Sequence, residues 1–182
     1  MQNNLRANFE LGAQVIIAIA VLVVAGVLIK RQISPQRLSP YDRPRINAGE
    51  RLNLPDVDWK QSKKRLVFFL NKDCHYCTAS APFYKQLTEE GLKHGVRSLA
   101  VLPNSMEEAK AYIQSVKLPI DDVRIGPLSS YKIPGTPTVL LVNGSGTVER
   151  VWSGAAPGSE KQMLDEFLAS IENPSSTESA KP

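Results

Sequence analysis

The 182-residue chain has only two cysteines, Cys74 and Cys77, and only two histidines, His75 and His94. Two cysteines cannot build a disulfide framework, so an apolar core must hold the fold and any bond between them is local. Zinc is poorly served as well. Cys74, Cys77, His75 and His94 nominally supply four ligands, but His75 sits between the cysteines, in a loop too tight for a tetrahedron. His94 stands a helix length away, beside Gly95, and suits a helix C-terminus better than catalysis. A c-type haem attachment needs histidine directly after the second cysteine, where Thr78 stands. There is no phosphate loop, no serine triad and no peroxidatic Thr-x-x-Cys, since Asn71 lies three residues before Cys74. Net charge is only +4. The cations near the N-terminus, among them Lys30, Arg31, Arg37, Arg43 and Arg45, are interleaved with prolines rather than aromatics. Beside an apolar segment they suit lipid headgroups better than nucleic acid, and no nucleic-acid partner is expected. The two tryptophans, Trp59 and Trp152, read as packing residues.

One long apolar run is present. Leu11 to Ile29 carries no formal charge, and Gln14 is its only strongly polar member. As a helix it would span about 28 Å, close to a bilayer's hydrocarbon thickness. It ends directly in Lys30-Arg31 with no small-x-small cleavage site, so it reads as an uncleaved transmembrane anchor. The flanking charges (Arg6 and Glu10 before, Lys30, Arg31 and Arg37 after) would keep the rest of the chain in the cytoplasm. A cysteine pair that cycles through a disulfide argues for the outside. The extracytoplasmic, periplasmic side is the expectation, with the opposite orientation as the competitor.

The domain reading follows: residues 1–10 a short flank, 11–29 the anchor, 30–45 a Pro/Arg-rich linker, 46–172 a folded domain and 173–182 a polar, disordered tail. Residues 46–54 alternate loosely and suggest a short leading strand or hairpin. The compact apolar run 65–70 predicts a central strand buried on both faces. A helix is expected over 76–93, with Ala81, Tyr84, Leu87 and Leu92 at helical spacing and a kink at Pro82. A second strand over 96–102 and a helix from Ser105 to Val116 come next. Strands 138–142 and 147–152 flank Asn143-Gly144-Ser145-Gly146, a hairpin signal. A last amphipathic helix covers 159–171. The fold class is α/β, a sandwich around a mixed sheet.

Cys74-His75-Tyr76-Cys77 falls where the strand pattern gives way to the helical one. A thiol at a helix N-terminus is stabilised as the thiolate, and a second thiol one turn on can close a small ring with it. Cys74 is the candidate nucleophile and Cys77 the buried resolving thiol, with His75 able to tune Cys74 if protonated. His75 and Tyr76 read equally as plain exposed or covering residues.

The element order, with Cys-x-x-Cys after the first core strand, resembles the thioredoxin superfamily. Pro82, eight residues after Cys74, matches the family's helix-kinking proline, and Gly135-Thr136-Pro137-Thr138 matches its loop with a cis-proline beside the disulfide. The anchor and linker look most like the membrane-tethered redoxin or TlpA-like branch. The resemblance covers residues 46–172. It implies a thioredoxin-like sandwich with a central mixed β-sheet, preceded by the transmembrane helix. It also implies a cis Pro137, a substrate groove at Tyr76, Thr136 and Pro137, and thiol-disulfide exchange with protein substrates. No cofactor is implied beyond the Cys74–Cys77 disulfide itself. A membrane electron donor and a monomeric state complete the expectation. Two departures stand out: Phe68 occupies the place of thioredoxin's buried acid, and the tryptophan that usually precedes the motif is missing. Reductant is the leading direction, with isomerase and oxidant behind it. The competitor from another class is a tethered thioredoxin-like binding or assembly module whose cysteines do not turn over.

Overall fold

The apolar run after Lys63 forms β1 (Lys64–Phe69), the middle strand of a five-stranded sheet. The computed structural model describes residues 21–25, 44–154 and 158–172. The chain divides into two compact units, residues 1–41 and 42–182. Of the first, only residues 21–25 are described, and they are helical. Among the described residues no helix is long and apolar enough to cross a membrane. Most of the expected anchor and linker, and the tail, lie outside the described residues.

In the second unit the elements are β1, α1 (His75–Ala79), α2 (Ala81–Lys93), β2 (Arg97–Leu102), α3 (Met106–Ser115), β3 (Asp122–Ile125), β4 (Thr138–Asn143), β5 (Val148–Ser153) and α4 (Glu160–Glu172). Sheet order is β3-β2-β1-β4-β5. β1 runs parallel to β2 and β2 to β3, while β4 is antiparallel to both β1 and β5. The parallel strands need helical crossovers, which α1–α2 and α3 supply.

β1 is buried on both faces, as its unbroken apolar run requires. Leu66 and Phe68 point into one core with Cys77, Tyr84, Leu87 and Phe167; Val67 and Phe69 point into the other with Leu52, Tyr131 and Leu140. The first core lies under the helices that carry the cysteines.

Four expectations need correction. The helix expected over 76–93 is two helices, parted at Ser80. Pro82 sits at the start of α2, where its missing N–H costs nothing, so the chain breaks before the proline instead of bending at it. β3 was not anticipated: it is four residues long, charged at Asp122 and Arg124, and only half-buried. Residues 46–54 form no full strand and contribute one isolated bridge, Arg51 to Thr147. Leu92, placed on the apolar face by spacing, is exposed at the end of α2.

Candidate redox site

The turn after β1 delivers Cys74 to the first residue before α1. Asn71 shapes that turn: its carbonyl accepts from Cys74 N at 3.0 Å and its side chain from Asp73 N at 3.0 Å. Asp73 points to solvent beside Lys72. Cys74 is then the N-cap of α1, in extended conformation, and its Sγ accepts from Cys77 N at 3.3 Å. Sulfur here takes the place usually held by a serine or aspartate oxygen. α1 has only five residues, so its macrodipole is small. The capping N–H and the other hydrogen bonds therefore matter more to the sulfur than the dipole does.

The two thiols are free and differ in setting. Cys74 is half-buried, whereas Cys77 is 1% exposed. Burial works to raise the Cys74 pKa, but hydrogen bonds from the Cys77 thiol, the Thr136 hydroxyl and the backbone N–H groups of Cys77 and Tyr76 outweigh it. They hold Cys74 below the ordinary thiol range. Burial pushes the Cys77 thiol up to about 12, and the neighbouring Cys74 sulfur adds to that. One turn of chain thus carries an accessible sulfur inclined to ionise and a sealed one inclined to keep its proton.

The loop before β4 closes the site from the other side. Thr136–Pro137 is a cis peptide bond. The Cys74 thiol donates to Thr136 O at 3.4 Å, a contact that lasts only while the sulfur is protonated. Two bonds frame the loop: Thr138 Oγ1 to Gly135 O at 2.9 Å, and Gly154 N to Pro137 O at 2.8 Å. Cys74, Cys77 and Thr136, expected to converge from the motif and the resemblance, are brought together. His75 and Tyr76 sit on the outer side of α1, both exposed, with ring centroids 5.7 Å apart.

Two residues near the pair escaped the sequence reading of the site. Tyr84 and Tyr112 are buried in the core that holds Cys77, and Tyr112 Oη lies 3.4 Å from Thr78 Oγ1. Burial raises both phenols, and charge on either cysteine raises them further, so both stay neutral. Their signal was an apolar-face position on α2 and α3, which says nothing of what they face. Phe68, where an acid was conspicuously missing, packs its ring 5.4 Å from that of Tyr84. Among the described residues no group of three or more His, Cys, Asp or Glu is placed to hold a metal. His94 caps the end of α2, 3.6 Å from Glu90.

Neither a protein-family model nor a curated protein sequence matches the chain. Solved structures do match. A provisionally assigned thiol:disulfide interchange protein DsbE from Chlorobium tepidum superposes with a TM-score of 0.57 at 20% identity, covering 69% of this chain and 99% of its own. The thioredoxin domain of a thiol-disulfide oxidoreductase from Bacteroides vulgatus gives 0.53 at 20% identity, with 67% and 98% covered. A thiol:disulfide interchange protein from a Bacteroides species gives 0.52 at 20% identity, with 75% and 95% covered. The likeness is one of fold, a mixed five-stranded sheet with helices on its faces.

Proposed function

We propose that this chain, whose fold is thioredoxin-like, is a thiol-disulfide oxidoreductase that exchanges disulfides with protein thiols through Cys74 and Cys77. The observation that carries the reading is the divergence of the two thiols within one helical turn: a half-exposed Cys74 held low by its hydrogen bonds, a sealed Cys77 pushed to about 12. Cys74 as thiolate attacks one sulfur of a substrate disulfide. That S–S bond breaks, a Cys74–substrate disulfide forms, and the first substrate sulfur leaves as thiolate. Cys77 then attacks the Cys74 sulfur, giving up its proton as the second substrate thiol leaves and takes one. The substrate gains two electrons and the pair ends as the Cys74–Cys77 disulfide. A dithiol donor of the membrane returns it to the reduced state.

Several features support the reductant direction and the setting. A strong disulfide donor owes its power to a stabilised reduced form. Here only Cys74 is shifted toward the thiolate and Cys77, buried, keeps its proton, so the reduced form draws that stabilisation from one sulfur alone. Tyr76, 59% exposed, and the Thr136–Pro137 loop flank Cys74 and suit an extended substrate segment, with His75 as a tuning residue beside them. The uncharged run 11–29 favours a membrane tether, and a cysteine pair that cycles through a disulfide favours an extracytoplasmic domain. A binding module with idle cysteines would be better served by a sealed Cys74. Cys74→Ser should abolish reduction of a disulfide-bonded protein such as insulin without unfolding the domain, and Cys77→Ser should accumulate mixed disulfides. Full activity in both variants would end this reading.

A further inference from the structure

β5 is an edge strand, and only the first part of its outer edge is covered. Gly49 N donates to Val148 O and Val148 N to Glu50 O, both at 2.8 Å. The covering segment then turns away, its Ile46 N donating to Lys132 O at 3.0 Å instead. Beyond the irregularity in the β4–β5 register, Gly154 N points inward to Pro137 O. Alternation along the strand therefore points the backbone groups of Val151 and Ser153 outward. Neither has an outward backbone partner among the described residues. Between this bare edge and residues 45–48 lies a cavity of about 380 Å³, also lined by Lys132, Pro134, Thr138, Glu149 and Arg150.

The cavity lining carries three cations, Arg45, Lys132 and Arg150, against one carboxylate, Glu149. Glu149 is held by Lys64 at 2.7 Å, and Lys132 is paired with Glu50 at 2.5 Å. Arg150 makes no ion pair within 4 Å among the described residues; its Nε donates to the Ser170 hydroxyl at 3.3 Å, and its charge also acts on Glu166 of α4. The cavity also adjoins the redox pair through one short loop. Pro134 and Thr138 line it, while Thr136 between them accepts from Cys74. A strand laid outside β5 would lie three strand spacings from β1, about 14 Å, a distance that about four extended residues can span.

We propose that the outer edge of β5 at Val151–Ser153 docks an extended, acidic segment of the client protein, added to the sheet as a further strand beside the cis-proline loop. This rests on the redox reading, since the docked segment serves to hold a client disulfide near Cys74. Backbone pairing supplies the attachment, and Arg150 selects the charge. A second copy of the chain would bring the same cationic lining to the same edge and is the poorer fit.

The test uses the full reduced chain and a fluorescein-labelled, cysteine-free peptide alternating glutamate with valine and threonine. Its lysine counterpart and a backbone N-methylated version serve as controls. The acidic peptide should bind, and both controls should bind markedly less. Ser153→Pro removes an outward N–H without touching the β4 ladder, and should weaken binding about tenfold, the effect of one lost hydrogen bond and its neighbours. Arg150→Glu should reverse the preference between acidic and lysine peptides. Both variants should reduce a small aromatic disulfide at the unaltered rate, because that substrate needs no docking. Equal binding of acidic and lysine peptides, or no effect of either substitution, overturns the proposal. So does a concentration-dependent dimer that Ser153→Pro dissolves, which gives the edge to a second copy. Peptide binding lost with small-disulfide reduction intact sinks the docking site alone. Docking that persists with no disulfide reduction at all sinks the redox reading instead.

Discussion

Replacing Cys77 by alanine should raise the pKa of Cys74. The Cys74 sulfur is held by the Cys77 thiol, the Thr136 hydroxyl and the backbone N–H groups of Cys77 and Tyr76, and these outweigh its burial. Alanine removes the first of these and leaves the capping N–H at 3.3 Å in place. A hydrogen bond to a charged group contributes about 1.5–3 kcal/mol, and about 1.36 kcal/mol corresponds to one pKa unit. The Cys74 thiolate therefore loses up to that hydrogen bond's contribution in stabilisation, and the long contacts typical of sulfur place the loss at the low end, so the alkylation midpoint moves to higher pH. The small void left at a fully buried site costs stability but does not itself favour a thiol over a thiolate at Cys74. The assay is the rate of iodoacetamide alkylation against pH, for reduced wild type and for Cys77→Ala. In wild type the fast phase belongs to Cys74 alone, because Cys77 is sealed and protonated. An alkylation midpoint in Cys77→Ala that is unchanged or lower would refute the claim that Cys77 is what keeps Cys74 ionisable.

Three further outcomes follow from the packing and the titrations. Gly91→Ala should destabilise the domain by about 1–2 kcal/mol in urea unfolding, because overpacking outweighs the gain in helix propensity. The added Cβ would meet Phe167 Cζ at 3.2 Å and Val96 Cβ at 3.4 Å, and unchanged stability would mean α4 can give way. Ser105→Ala removes a capping box in which the Ser105 hydroxyl accepts from Glu108 N and Glu108 reaches back to Ser105 N, and should cost about 1 kcal/mol. The reduced protein should lose stability as pH rises from about 9 toward 12. Over that range the unfolded chain releases the Cys77 proton that the folded chain retains, so the unfolded state binds fewer protons. Cys74, shifted the other way, contributes stability above its unfolded pKa and loses it as pH falls through its folded one. Urea midpoints under reducing conditions should show a smaller alkaline loss in Cys77→Ser than in wild type, the buried phenols of Tyr84 and Tyr112 supplying the remainder.

Where a residue's local chemistry alone decides its structure, the sequence was enough. The hairpin turn is an example: Asn143 Oδ1 accepts from both Ser145 N and Thr147 N, which is the job asparagine does in turns. Ser105 and Glu108 announced the start of α3, and the unbroken apolar run of β1 announced a strand buried on both faces. β3 was hidden because an edge strand with half-exposed Asp122, Val123 and Arg124 shows neither an apolar run nor an alternation. The break at Ser80 was hidden because a proline pattern states that a helix is interrupted, but not on which side of the proline. The Cys-x-x-Cys motif and its place before a helix were legible, while Thr136 and Pro137 came from family resemblance alone. What the sequence could not disclose were contacts across long separations, such as Tyr112 with Thr78 and Phe68 with Tyr84. These arise from packing two elements together, and no local pattern encodes them.

The central claim is that Cys74 and Cys77 cycle between dithiol and disulfide while the fold stays intact. The most direct test is the reduction potential of the pair in the full chain, equilibrated against glutathione and dithiothreitol and followed by thiol trapping. A reversible two-electron transition at or below about −250 mV, in the range of thioredoxin, is the expected result. A value near about −120 mV would make the pair a disulfide donor and reverse the proposed direction. A pair that never equilibrates, while circular dichroism reports a native fold, would contradict the account outright.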